Sequence, residues 1–308
     1  MIELQGFRKE YRDLVAVDDL SLQIEQGEVF GFIGPNGAGK TTTIRFLATL
    51  LKPTAGEGIV NGFKVTKQPL DVRRSIGYMP DHFGLYDGMR VWEFLDFFAA
   101  AYQIPRARRK TVIADVLELL DLVEKRNAYL RTLSRGMKQR LCLAKTLVHD
   151  PPVLILDEPA SGLDPRARIE LKELLRELRR MGKTILISSH ILSELADCCT
   201  SIGIIERGKL LISGAIAEVY RKIRVSRRIR IRFLENAERG LTLLRERPET
   251  IGISTEDGET RVELQADDQT VADVLEQLIR EGVRVQSFAE EDPTLEDVFM
   301  TVTKGAVQ

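Results

Sequence analysis

Residues 28–42 read EVFGFIGPNGAGKTT, and this stretch restricts the fold more than any other. EVFGFI is a short apolar run of the kind that forms a buried strand. A helical pattern begins after Gly39. Between them, residues 34–41 (GPNGAGKT) fill every fixed position of G-x-x-x-x-G-K-[ST] in the strand–loop–helix context that the motif requires. Such a loop works only if the backbone can wrap an anion. Glycines allow the close approach, successive N–H groups point inward, and the following helix presents its positive end. Gly34, Pro35, Asn36, Gly37, Ala38 and Gly39 are therefore the expected phosphate-binding residues. Lys40 is the expected cation for the β- and γ-phosphates, Thr41 a hydroxyl ligand for Mg²⁺, and Thr42 a donor to a phosphate oxygen.

A partner for that loop lies downstream. Residues 153–158 read VLILDE, an apolar strand that ends in two carboxylates. Delivered beside a phosphate loop, Asp157 can hold the hydration shell of Mg²⁺. Glu158, one residue further, can orient or deprotonate an attacking water. Further strand candidates at 184–188 (TILIS) and 201–205 (SIGII) alternate with helical stretches such as 166–181. Short apolar strands between helices predict an α/β fold with a mostly parallel sheet covered on both faces.

The chain of 308 residues has room for two domains at roughly 150 residues each. The pattern changes near Tyr220. Arg228, Arg230 and Arg232 alternate with Ile229, Ile231 and Phe233, which reads as a solvated edge strand. The order beyond is helix, two strands joined through EDGE, helix, strand and a final helix, a β-α-β-β-α-β series that predicts a small ferredoxin-like α+β domain. The boundaries expected are 1–222, with a helical part at about 84–150, and 223–308. A formal net charge of −1 makes no electrostatic case for nucleic acid. No apolar run approaches the roughly 20 residues that span a bilayer, and MIELQGFRKEY has no apolar signal core, so a cytoplasmic protein is expected. The three cysteines, Cys142, Cys198 and Cys199, lack metal-site spacing and read as reduced, mostly buried thiols.

Other motifs fall in order around these two. LSRGMKQR (133–140) resembles the LSGGQ-like signature of ATP-binding cassette (ABC) proteins. SGLDPRAR (161–168) is similar to their D-loop, and ISSH, ending at His190, to their switch histidine. The region KEYRDLVAVDDLSLQIEQGEVFGFIGPNGAGKTT resembles their N-terminal part. The resemblance covers about residues 1–220 and implies an ATPase with ATP and Mg²⁺ as cofactors. In it, Tyr11 would stack on adenine with Val17 beside it. Glu158 and His190 would be catalytic, and Thr41 and Asp157 metal ligands. Ser134, Arg135, Gly136 and Met137 would close over ATP held by a second cassette, in a homo- or heterodimer. Ser161, Leu163 and Asp164 would form the D-loop. Ser134 also suits a helix N-cap.

Two motifs depart from the family pattern. Arg135 and Met137 stand in the signature, and Arg135 fits if its side chain turns to solvent or to the phosphates. Asp81 stands where the family has the Q-loop glutamine; its carboxylate can hold a metal-bound water but donates no amide hydrogen bond. The helical stretch after it, with Phe83, Tyr86, Trp92, Phe94, Phe97 and Phe98 read mostly as core, resembles the subdomain that grips a membrane partner. DPTLEDVFMTVT (292–303) resembles the end of the extra domain of ABC-2 exporters. The resemblance thus implies a subunit on the cytoplasmic face of the membrane that powers a separate ABC-2 permease. The alternative is a soluble or regulatory ABC ATPase with low turnover and no permease, a reading motivated by Asp81.

Overall fold

A computed structural model describes every residue except 83, 85, 87, 192–197, 224–226, 257 and 292–308, and residues 221–223 by their backbone alone. The chain divides into two compact units, Met1–Ile216 and a second that begins at Ala217.

The first unit opens with two long antiparallel strands, β1 (Ile2–Tyr11) and β2 (Leu14–Ile24). On its other side β1 pairs with β4 (Ala55–Val60), which is followed by β5 (Phe63–Lys64). The second sheet contains β3 (Val29–Ile33), β6 (Ile76–Met79), β7 (Val153–Leu156), β8 (Thr184–Ser189), β9 (Ser201–Glu206) and β10 (Lys209–Ala215). Its order is β10-β9-β3-β8-β7-β6, parallel throughout except for the β9–β10 hairpin. Every residue of β3, β7 and β8 is buried, as expected of parallel strands covered on both faces. Because β8 lies between β3 and β7, the loop after β3 and the acids after β7 emerge at the same edge. That edge is where ligands bind in open parallel sheets.

The helix α1 (Lys40–Leu47) buries Ile44, Phe46 and Leu47. Phe46 stacks on Phe7 of β1 with ring centroids 4.3 Å apart, which ties the loop helix to the antiparallel sheet. The helices α2 (Pro69–Ser75), α3 (Val91–Ala101), α4 (Arg106–Leu119), α5 (Arg135–Leu147) and α6 (Pro165–Arg180) complete the unit. The helical part expected at about 84–150 is interrupted: α4 stops at Leu119, Asp121 is left-handed, and only a 3₁₀ turn follows at Val123–Lys125. The break lets Leu120 and Leu122 both reach the interior. The aromatics read mostly as core are only partly buried, with Trp92 and Phe98 half-buried. Phe94 is buried, but Tyr86 and Phe97 are exposed and meet edge to face at 6.4 Å, with Phe98 against Phe97 at 5.2 Å. Phe83 lies outside the described residues.

In the second unit, α7 (Ile216–Ile223), which begins at the boundary, leads into β11 (Arg227–Glu235), α8 (Ala237–Glu246), β12 (Thr250–Glu256), β13 (Glu259–Leu264), α9 (Asp268–Arg280) and β14 (Arg284–Glu291). This is the β-α-β-β-α-β series, with an antiparallel sheet ordered β12-β13-β11-β14. Its core joins Ile229 and Ile231 to Leu244, Val262, Leu264, Val274, Leu278 and Val283. The edge-strand reading of the arginine run is corrected: β11 is central, between β13 and β14. Its arginines are matched by glutamates on both neighbours, with Arg228 to Glu263 at 2.8 Å, Arg232 to Glu259 at 3.0 Å, and Arg230 at 3.8 Å from both Glu259 and Glu291. Cross-strand pairing of opposite charges makes a central strand tolerate three arginines on one face. The expected tail helix lies outside the described residues.

Candidate functional site

The loop after β3 is held by its surroundings. Gly39 has φ +109°, and a Cβ there would lie 2.7 Å from the carbonyl oxygen of Ala16. Only glycine meets both conditions. Lys40 is nearly buried and folds back over the loop, its Nζ donating to the carbonyls of Gly34 at 2.6 Å and Pro35 at 3.2 Å. The same ammonium lies 3.3 Å from Glu158 Oε1. Thr41 and Thr42 are half-buried at the start of α1.

The two carboxylates after β7 take different environments. Asp157 is 1% exposed, and its Oδ1 accepts from Ser188 Oγ at 2.8 Å and from Thr41 Oγ1 at 3.3 Å. Burial pushes its pKa up, the hydroxyls of Ser188 and Thr41 oppose this, and the charges of Glu158 and Asp81 add to it. Glu158 has a left-handed backbone, φ +50°, a strained geometry for a residue other than glycine, asparagine or aspartate, and one that clusters at functional sites. Its N–H donates to Ser188 Oγ at 2.9 Å. Its Oε2 meets His190 Nδ1 at 2.7 Å, and the His190 N–H points at the same oxygen from 3.4 Å. One carboxylate therefore bridges the lysine of the phosphate loop and the histidine after β8.

A cavity of about 520 Å³ opens over this group. Tyr11, Asn36, Gly37, Ala38, Gly39, Lys40, Thr41, Thr42, Asp81 and Glu158 line it, while Gly34, Pro35, Asp157 and His190 do not reach its wall. Val17 does not: it is fully buried in the core, and Leu14, Val15 and Ala16 take the wall beside Tyr11. The alternation along β2 turns Val17 inward, and the bulge between Lys9 and Glu10 shifts the pairing beside it. Arg207 also lines the cavity and was not anticipated. It sits at φ +49° in the turn between β9 and β10, where the Gly208 N–H donates to the Ala38 carbonyl at 2.9 Å. The Arg-Gly pair at a hairpin turn was the one available signal.

Thr41 and Asp157 offer hard oxygens beside a phosphate loop, with Asp81 on the cavity wall. That donor set fits Mg²⁺, which takes one or two protein oxygens and fills its remaining positions with water and phosphate. Asp81 is engaged by His82 Nδ1 at 3.0 Å.

The signature residues lie elsewhere. None of residues 134–137 lines the cavity. Ser134 caps α5, its Oγ accepting from the Met137 N–H at 3.3 Å. Gly136 faces the largely buried Leu163. Asp164 caps α6 by accepting from the Ala167 N–H at 2.9 Å. Arg135 is exposed, as the solvent alternative expects, and does not reach the phosphate loop. Its Nη2 donates to the Ser161 carbonyl at 3.1 Å. Cys142 and Cys198 are buried and Cys199 half-buried, all as free thiols.

Comparison with known proteins agrees with this geometry. The ABC transporter family model matches residues 17–161, and that of the ATP-binding protein DrrA1-3-like C-terminal domain matches 214–303. The chain is 37% identical over 247 residues to the ABC transporter ATP-binding protein NatA of Bacillus subtilis, covering 79% of this chain and 100% of that one. It is 40% identical over 214 residues to the Nod factor export ATP-binding protein I of Burkholderia pseudomallei, covering 70% of each. With an uncharacterized ABC transporter ATP-binding protein of Synechocystis it shares 40% identity over 202 residues, 65% of this chain, and spans only 56% of that relative's length. The ATP-binding cassette MJ0796, solved as a dimer in a post-hydrolysis state bound to ADP and Pi, superposes with a TM-score of 0.65 at 25% identity, over 70% of this chain and 99% of that one.

Proposed function

The chain belongs to the ABC transporter ATP-binding proteins, and on that premise we propose that it hydrolyses MgATP to drive a separate membrane permease. The observation that carries this reading is the convergence of Lys40 and His190 on the Glu158 carboxylate beside the phosphate loop. In the proposed reaction the triphosphate lies along residues 34–42, and Tyr11 stacks on the base. Lys40 leaves Glu158 for the phosphates. Glu158, held by His190, then accepts a proton from the water that attacks the γ-phosphate. Thr41 and Asp157 would hold Mg²⁺, which neutralises charge on the phosphate oxygens when bound.

Of the signature residues, Ser134, Gly136 and Met137 act on ATP held by a second cassette, while Arg135 is taken up by the Ser161 carbonyl. Their separation from this chain's own cavity supports that reading, as does the dimeric relative. The D-loop residues Ser161, Leu163 and Asp164 adjoin them. Among the described residues no helix is long and apolar enough to cross a membrane. In this proposal the permease is a separate polypeptide, and the chain docks on it at the cytoplasmic face. The Nod factor export relative and the DrrA1-3-like match support an ABC-2-type exporter.

Replacing Glu158 tests this directly. Glu158→Gln should bind ATP, accumulate as a dimer in size-exclusion chromatography, and lose at least ~100-fold in turnover, the scale of a removed general base. Wild-type turnover in that variant would refute the assignment. Co-purification with a membrane protein from native membranes tests the permease.

A further inference from the structure

Arg135 stands where the signature motif of this family carries glycine, and its side chain has a definite destination. Its Nη2 donates to the Ser161 carbonyl at 3.1 Å. A Cβ built on Gly162 would lie 2.2 Å from Arg135 Cζ, so the guanidinium fills the space that a side chain at 162 would take. The Ser161 N–H in turn donates to the Glu158 carbonyl at 3.0 Å. One hydrogen bond therefore separates the first residue of α5 from the turn that carries Glu158, whose backbone is left-handed at φ +50°.

We infer that Arg135 is a positioning residue for ATP hydrolysis: by gripping Ser161 it holds the turn that orients Glu158 of the same chain. The inference rests on the reading of Glu158 as the base. Residues held in a sparsely populated backbone geometry persist only when their surroundings over-determine them. The planar guanidinium, with its fixed fork of donors, supplies such a restraint; glycine at 135 offers no donor to Ser161.

Four variants test this: Arg135→Ala, Arg135→Lys, Gly162→Ala and the Arg135→Ala/Gly162→Ala pair. Each is assayed for ATPase kinetics and, in a Glu158→Gln background, for the ATP-trapped dimer. Arg135→Ala should lower kcat about tenfold, well within the cost of misplacing a catalytic group by about 1 Å. KM for ATP should stay within about twofold and the trapped dimer should persist, because positioning the base is separate from binding. Arg135→Lys, which keeps a donor, should recover part of the loss. Gly162→Ala should lower kcat where Arg135 is present and add less where it is gone, since both changes break one contact and only the strain of a Cβ at φ +69° remains. Unchanged kcat in Arg135→Ala, or strictly additive losses, would overturn the proposal. So would a raised KM with loss of the trapped dimer, which would make Arg135 a direct ATP contact instead. If Glu158→Gln alone keeps its turnover, the base assignment fails first, whatever the Arg135 variants do.

Discussion

His149 should make the first unit lose stability in mild acid. It follows α5, and its ring stacks on Tyr102 with centroids 3.6 Å apart and planes 5° from parallel. Its Nε2 lies 2.9 Å from the Ile76 carbonyl, so the neutral ring donates there and leaves Nδ1 buried without a partner. Charging the ring would put a proton on that dry nitrogen. Burial accordingly lowers the His149 pKa from 6.5 to about 4, against the Ile76 hydrogen bond and the Asp150 charge, which favour the charged form, and with Lys183 adding to the depression. A folded pKa below the unfolded one means that the unfolded chain binds the proton more tightly. The stability contributed by a neutral His149 is fully present above 6.5 and is lost as the pH falls toward about 4. Between about pH 7.5 and about pH 5.5 the loss should be about 1 kcal/mol, out of a limit near 3 kcal/mol reached only below the folded pKa. Urea unfolding at the two pH values measures it, followed by the fluorescence of Trp92, the one tryptophan, on α3 of the same unit. His149→Gln keeps an N–H donor for Ile76 and removes the titration, so its pH dependence should be smaller than wild type by that amount. Equal pH dependence in the two proteins would refute the reasoning.

Two further outcomes concern the nucleotide cavity. Asp81→Asn removes one of the charges that hold the Asp157 pKa up. The ionised form of Asp157 then survives to lower pH, and the acidic limb of the ATPase profile should move to lower pH; an unmoved limb would separate Asp81 from Asp157. Arg207→Ala takes a cation from the cavity wall, and KM for ATP should rise about fivefold with kcat little changed, the scale of one exposed charge-assisted contact. A wild-type KM would place Arg207 outside the nucleotide's reach.

Some of this chain could be read without its fold. GPNGAGKT, VLILDE and the order of later motifs are local: each depends on backbone and side-chain chemistry within a turn or two. The strands at Val153–Leu156 and Thr184–Ser189 and the helix at Pro165–Arg180 followed from apolar periodicity. Readings that depended on a neighbour from elsewhere in the chain went astray. The arginine run lies on a central strand, because glutamates from β13 and β14 neutralise it. The α3 aromatics read as core because their spacing is helical, but spacing does not say which face another element covers.

The sequence by itself determined the phosphate-loop motif and the strand that ends in two acids, since those motifs encode their own local geometry. Only the tertiary structure decided which groups share the site. It brought Glu158 between Lys40 and His190, added Arg207, withdrew Val17 into the core, and turned Arg135 onto the turn beside Glu158. Those relations join residues far apart in the chain, and they are set by strand order and packing rather than by any local pattern.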